Sequence, residues 1–116
     1  MVARLQGLIG MCAAALLTGC GTAVHHYEAK GALGPYSGAV RGGGFVFVSG
    51  KIGDPGAEFA AQVDAALDAI EAELTRTGTE WSDVVSVTVY LTDMSRYGEF
   101  NEIYAKRVGR PYPARA

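Results

Sequence analysis

The stretch that most restricts the fold runs from Trp81 to Asp93, WSDVVSVTVYLTD. Within it Val85, Val87, Val89 and Leu91 alternate with Val84, Ser86, Thr88 and Tyr90. Nearly every residue is β-branched or aromatic, a composition that suits a pleated, packed surface. One face is wholly aliphatic and can lie under helices. The other carries hydroxyls and an aromatic ring, which suits a wetter or intersubunit surface. Asp83 and Thr92-Asp93 bound the run. Helical patterns stand on both sides, so the pattern predicts the central strand of a small α+β layer.

Before that strand, Phe59, Val63, Leu67, Ile70 and Leu74 recur at helical spacing and mark one apolar face. Asp54 is expected to cap this helix with Pro55 at its first position, and Gly78 to end it. Glu58, Asp64, Asp68, Glu71 and Glu73 are expected on a solvated face, since acid/base chemistry needs carboxylates converging in a cleft. After the strand, Asp93 or Ser95 can cap a second helix through Val108, with Tyr97, Phe100, Tyr104 and Val108 as its stripe. Gly109 closes it, and Pro111 and Pro113 forbid continuation. Upstream, Gly38–Arg41 and Phe45–Gly50 flank Gly42-Gly43-Gly44 and predict a β-hairpin. The triple glycine lacks a Lys-Ser/Thr ending and leads into a strand, which excludes a phosphate loop. The predicted order is hairpin, helix, strand, helix, loop, with three obvious strands.

The first nineteen residues read as a segment outside the fold. Arg4 is their only charge, and the apolar run Leu8–Leu17 is followed by small residues, the layout of a secretory signal peptide. Leu17-Thr18-Gly19-Cys20 resembles a bacterial lipobox, which implies cleavage before Cys20, lipidation of its thiol and an extracytoplasmic, membrane-anchored product. The alternatives are an ordinary signal sequence with a chance cysteine or a buried N-terminal helix, and for the address a cytoplasmic location. Residues 20–33 read as a flexible tether. His25-His26 within it has no partner at ligand spacing, so no metal is expected.

The chain has 116 residues, a size for one domain, and a net charge of −2. Of its ten Lys and Arg only Arg4 precedes Cys20, leaving nine basic residues against twelve acidic ones. That balance argues against nucleic-acid binding, which depends on cationic neutralisation of phosphates. A core of this size is marginal for a monomer, so oligomerisation or a further strand is expected.

Several segments, read together, resemble the Rid family of reactive intermediate deaminases, also called YjgF-like. They are Gly34-Pro35-Tyr36-Ser37-Gly38-Ala39-Val40, Phe47-Val48-Ser49-Gly50, Gln62, Asp83-Val84-Val85, Thr88-Val89-Tyr90-Leu91-Thr92-Asp93-Met94, Phe100-Asn101-Glu102-Ile103-Tyr104 and Pro113-Ala114-Arg115. The resemblance runs in family order from Gly34 to Arg115 and implies that residues 34–116 form a Rid-like domain. The implied fold is α+β and chorismate-mutase-like, a mixed sheet with two helices on one face. Three subunits would associate through the other face, with Ser86, Thr88 and Tyr90 turned to the trimer interior and pockets at the interfaces.

The implied activity is hydrolysis of 2-imino acids, such as 2-iminopropanoate or 2-iminobutanoate, to 2-oxo acids and ammonia, with no metal or organic cofactor. Arg115 takes the place of the family arginine that holds the substrate carboxylate, a bidentate task to which a planar guanidinium is suited. Tyr36 and Asn101 correspond to substrate-binding pocket residues. The chain departs from the family at its end: relatives continue past Pro-Ala-Arg into final strands carrying a water-orienting glutamate, so the domain is expected to be C-terminally truncated. Gly38 stands where glutamine is common, Asp68-Ala69 where an acidic residue and asparagine are common, and the loop from Gly50 to Gly56 is short. A non-enzymatic small-carboxylate-binding module is the alternative to the deaminase. Ribonuclease activity, an older label for some relatives, sits poorly with the acidic balance.

Overall fold

The structure, a computed structural model, describes residues 1–4 and 23–116. The apolar run Leu8–Leu17 and the proposed lipidation site Cys20 lie outside the described residues. Six strands and two α-helices are present among those described: β1 (Val2–Arg4), β2 (His25–Glu28), β3 (Ser37–Gly42), β4 (Phe45–Val48), α1 (Phe59–Arg76), β5 (Val84–Val87), α2 (Tyr97–Val108) and β6 (Ala114–Arg115). The strands form one mixed sheet in the order β2-β3-β4-β1-β5-β6, with only the β5–β6 pair parallel. Val63, Leu67 and Leu74 of α1 and Phe100, Tyr104 and Val108 of α2 bury against Ala3, Ala39, Val46, Val48, Val84 and Val87 of the sheet. The α+β expectation and both helical stripes therefore stand.

The hairpin of β3 and β4 forms as expected, with Gly43 and Gly44 at positive φ in its turn. Strand alternation sends Val46 and Val48 into the core and leaves Phe45 and Phe47 on the opposite face, 39% and 50% exposed. The second helix is entered through a short 3₁₀ turn, Met94–Arg96, whose Asp93 cap accepts from the Ser95 amide at 2.9 Å.

Several elements depart from the expected layout. The segment read as a tether carries strand β2, paired along β3. It is held by distant cations: the Arg76 and Arg41 guanidinium groups stand 5.6 and 5.9 Å from the Tyr27 ring, and Arg76 Nη1 donates to the Glu28 carbonyl at 2.7 Å. Residues 2–4, read as part of a signal peptide, lie inside the sheet between β4 and β5. There Ala3 is fully buried, and the Val48 amide donates to the Met1 carbonyl at 3.0 Å. With β6 these strands bring the three expected to six.

The strand expected from Val84 to Leu91 ends at Val87 and lies one place from the sheet edge, beside β6, rather than at its centre. Ala3 pairs with Val84 and Val2 with Ser86, so Val85 is the extra residue of a bulge. That reverses the alternation locally: Val84 is buried and Val85, expected on the aliphatic face, is 44% exposed. The first helix begins at Phe59, not after Asp54. Asp54 caps a turn of its own, accepting from the Gly56 amide at 2.9 Å while its carbonyl accepts from the Ala57 amide at 3.0 Å.

The end of α1 follows the expected route through Gly78, at φ +72. The Thr79 amide donates to Leu74 O at 2.9 Å and the Gly78 amide to Thr75 O at 3.0 Å, the paired bonds of a Schellman cap. The Thr77 hydroxyl, buried here, donates to the helix carbonyls of Glu73 and Leu74, each at 2.9 Å.

Glu73, expected on the solvated face, is only 8% exposed. It accepts from Lys51 Nζ at 2.9 Å and pairs with Arg76, so the carboxylate is compensated where α1 meets the sheet. Gly38 makes room for this: a Cβ there would collide with the Glu73 carboxylate and the Arg76 guanidinium. The remaining carboxylates behave as expected, with Asp64, Asp68 and Glu71 on the outside of α1, where Arg107 of α2 bridges them.

Burial alone would push the Glu73 carboxyl up. Hydrogen bonds from Lys51 and Arg76, with their charges, outweigh it and hold the carboxyl below its ordinary value of 4.5. A carboxyl whose folded pKa is depressed contributes stability above its unfolded pKa and loses it as pH falls through the folded value. Glu73→Gln is therefore expected to lower unfolding stability by about 1–2 kcal/mol at neutral pH, the lower range for a charged hydrogen-bonded group because both cations are partly exposed. Urea denaturation from pH 7 to pH 3 should show the gap to wild type closing below about 4.5; a gap that stays constant would remove the carboxylate's charge as its cause.

Candidate functional site

Tyr97, Phe100, Asn101 and Tyr104 stand at i, i+3, i+4 and i+7 on α2 and so share one helix face. Phe100 and Tyr104 turn inward and pack with ring centroids 5.5 Å apart. Gly109, at φ +72, ends the helix, and the chain returns past Pro111 and Pro113 to form β6 alongside β5. The register pairs Val87 with Arg115. Paired residues point to the same side of a sheet, so Arg115 is directed to the face that carries α2.

The guanidinium of Arg115 consequently lies over that aromatic face, 4.8 Å from the Tyr104 ring centroid, 5.4 Å from Phe100 and 5.8 Å from Tyr97. Its Nη2 donates to Asn101 Oδ1 at 2.6 Å and to the Tyr97 hydroxyl at 3.3 Å. Both contacts use Nη2, which leaves Nη1 and Nε unengaged among the described residues. The group is thus oriented by its neighbours and still able to receive an anion. It borders a cavity of about 580 Å³ lined also by Val89, Leu91, Met94 and Tyr112.

The charge of Arg115 is felt by both tyrosines. The Asn101 side chain, then the hydrogen bond and charge of Arg115, hold the Tyr97 phenol below its usual pKa. Burial pushes the Tyr104 phenol up, with Arg115 pulling the other way. The Tyr104 hydroxyl is buried and has no hydrogen-bond partner among the described residues.

Of the three residues expected to bind substrate, the fold joins two. Arg115 and Asn101 are in direct contact. Tyr36 lies in the loop ahead of β3, with β4, β1 and β5 between that strand and β6. It is half-exposed there and does not line this cavity. The apolar stripe accounts for Tyr97 and Tyr104 but does not reveal their guanidinium contact; their spacing of four and three residues from Asn101 is the signal that points to it. His25 packs edge-on to Tyr27 at 4.6 Å and His26 Nδ1 lies 3.3 Å from Ser37 Oγ. Among the described residues no three His, Cys, Asp or Glu side chains gather into a group able to hold a metal ion.

A family model described as endoribonuclease L-PSP matches residues 27–116. A RutC family protein of Pyrococcus horikoshii is 39% identical over 90 residues, covering 72% of this chain and 71% of that protein. A human 2-iminobutanoate/2-iminopropanoate deaminase is 35% identical over 96 residues, 77% of this chain and 70% of that one. Among solved structures, a YjgF-family protein of Neisseria meningitidis superposes with a TM-score of 0.73 at 29% identity, over 82% of this chain and 78% of its own.

The Asn101 contact makes a measurable claim about the arginine. Losing a hydrogen bond to a charged group typically costs about 1.5–3 kcal/mol, and about 1.4 kcal/mol is tenfold in affinity. Asn101→Ala is expected to weaken binding of a small carboxylate such as pyruvate by about tenfold or more. In the same variant the Tyr97 phenol should titrate closer to its usual value, read from its ring ¹³Cζ shift. Unchanged affinity together with an unmoved titration would dissolve the Tyr97–Asn101–Arg115 unit.

Proposed function

Because the chain belongs to the endoribonuclease L-PSP family, which takes in the YjgF, RutC and Rid proteins, we propose that it is an imine deaminase hydrolysing 2-imino acids to 2-oxo acids and ammonia. The observation that carries this reading is the Arg115 guanidinium, oriented by Asn101 and Tyr97 at the border of an apolar cavity. The substrate's carboxylate meets Arg115, which sets the neighbouring C=N carbon within the cavity. Water adds to that carbon, the carbinolamine collapses, and ammonia leaves. The protonated imine is already electrophilic, so positioning supplies much of the acceleration. The reading calls for no cofactor.

The site is proposed to be shared between subunits of a homotrimer. Phe45, Phe47 and Val85 leave an apolar patch on the sheet face opposite the helices, which a second copy would cover. Such packing accounts for the separation of Tyr36 from Arg115, because Tyr36 of the partner subunit would complete the pocket. The alternative is a non-enzymatic module that captures a small carboxylate at the same arginine; calorimetric binding of pyruvate without turnover of any imine would favour it. Endoribonuclease activity, which the family description names, is disfavoured by the mildly acidic balance.

Location is a separate proposal. The Leu17-Thr18-Gly19-Cys20 motif supports a lipid anchor at Cys20 on an extracytoplasmic membrane face. Cleavage there would also remove β1 from the sheet, so the anchor and the six-stranded sheet cannot coexist in one molecule. The intact mass of the native protein distinguishes a lipidated species from one that retains Met1.

Arg115→Ala is expected to lower kcat/KM for 2-iminopropanoate by at least a hundredfold, the scale of losing a charged contact of about 3 kcal/mol. Unchanged turnover would end the deaminase assignment. Phe47→Asp is expected to convert the trimer to monomer in sedimentation velocity and to abolish turnover with it; an active monomer would refute the shared site.

A further inference from the structure

We propose that Tyr97 is a positioning residue that gates Arg115: as a neutral phenol it leaves the guanidinium free to take a carboxylate, and as a phenolate it claims that charge for itself and closes the site to anions. This rests on the reading that Arg115 receives the ligand's carboxylate, which the deaminase and the binding module share. The contacts involved are made within one chain at the arginine, whatever completes the groove beside it.

Tyr97 opens α2, directly after the 3₁₀ turn Met94–Arg96. Asn101 stands one turn further along. Arg115 Nη2 divides its bonds between the two, 2.6 Å to Asn101 Oδ1 and 3.3 Å to the Tyr97 hydroxyl. The phenol oxygen therefore already accepts from the cation that a ligand must use. Loss of its proton turns that acceptor into an anion touching the guanidinium. Opposite charges this close attract more strongly at a protein surface than in bulk water. A carboxylate arriving at Arg115 would then meet a cation already paired, with a like charge beside it.

The surroundings single out this phenol. Tyr104 lies under the same guanidinium at 4.8 Å, but it is buried, and burial pushes its phenol up. Tyr97 is half-exposed, so water reaches its oxygen, and the Asn101 side chain and Arg115 hold its phenol below the usual value. The positive end of the α2 dipole favours an anion at the same place.

Other charged groups near it are engaged elsewhere. Asp93 accepts from the Ser95 amide and hydroxyl at 2.9 and 2.7 Å, and Glu99 pairs with Arg96 at 2.6 Å. In the returning loop Arg110 stacks on the Tyr112 ring at 5.0 Å, and the Ala116 carbonyl accepts from the Val89 amide. Among the described residues, Arg115 is the cation in hydrogen-bond contact with the Tyr97 oxygen.

The sign follows from the charges. Carboxylate affinity is full while Tyr97 is neutral and is lost as pH rises through its folded pKa. The coupling is reciprocal: if ionisation weakens the carboxylate about tenfold, a bound carboxylate moves the Tyr97 titration up by about one pH unit.

Calorimetric titration of the full chain with pyruvate, which stays ionised throughout, tests this from about pH 7 to about pH 10.5, a range that spans an ordinary phenol's titration. Circular dichroism confirms the fold at each pH. Wild-type affinity is expected to fall at least tenfold across the range and that of Tyr97→Phe by less than threefold, which makes the variant the tighter binder at the alkaline end. A Tyr97 that merely packs would leave the two profiles parallel. Parallel profiles, or a wild-type affinity that does not change, would overturn the gate and leave the carboxylate reading standing. Absence of binding at every pH would overturn both. In the wild type alone, the Tyr97 ring ¹³Cζ titration is expected to move up by about one pH unit under saturating pyruvate. A titration that pyruvate does not move would overturn the gate without recourse to the variant.

Discussion

The pairing of Val87 with Arg115 across β5 and β6 is the contact on which the site depends. Side chains alternate across a strand, so a slip of one residue in this register would turn Arg115 to the opposite face of the sheet and bring Ala114 toward α2. Two further backbone bonds hold the register, Val89 N to Ala116 O at 2.8 Å and Ala116 N to Val87 O at 3.0 Å. The cation over three aromatic rings and the amide of Asn101 then act as a lock on the outcome. Strand and helix each fix a part of the geometry, and neither would do so alone.

A second charged group stands toward the other end of the same sheet face. Glu73 faces Lys51 and Arg76 beneath β3, and Arg76 continues outward to Tyr27 and the Glu28 carbonyl. One helix residue thus couples the end of α1 to the outermost strand. The space for it depends on Gly38, where any side chain would run into the ion pair.

The periodic parts of the sequence were legible because their burial is decided by neighbours along the same helix or strand. The stripes Val63–Leu67–Leu74 and Phe100–Tyr104–Val108 and the hairpin around Gly43-Gly44 emerge as expected. Arg115 and Asn101, two of the residues carried over from the family resemblance, are in direct contact. What could not be read was fixed by residues far apart in the chain. β2 is a strand because cations from β3 and α1 reach Tyr27, and Glu73 is buried because Lys51 and Arg76 converge on it. Val85 turns outward because β1 pairs irregularly with β5. No local pattern announces any of these.

The position of β1 gives the sheet a seam. Strands β2, β3 and β4 form one ladder and β5 and β6 another, and among the described strands only β1 joins them, with Val2 and Ala3 paired to both sides. Forming that join closes a loop reaching from Ala3 to Val84, and ordering a long loop must precede the reward of its contacts. Backbone pairing between the two ladders therefore passes through Val2 and Ala3, above the core that both ladders share. Opening at the seam would expose the inner edges of β4 and β5 together, so the slowest-exchanging amides of both strands should share one opening event.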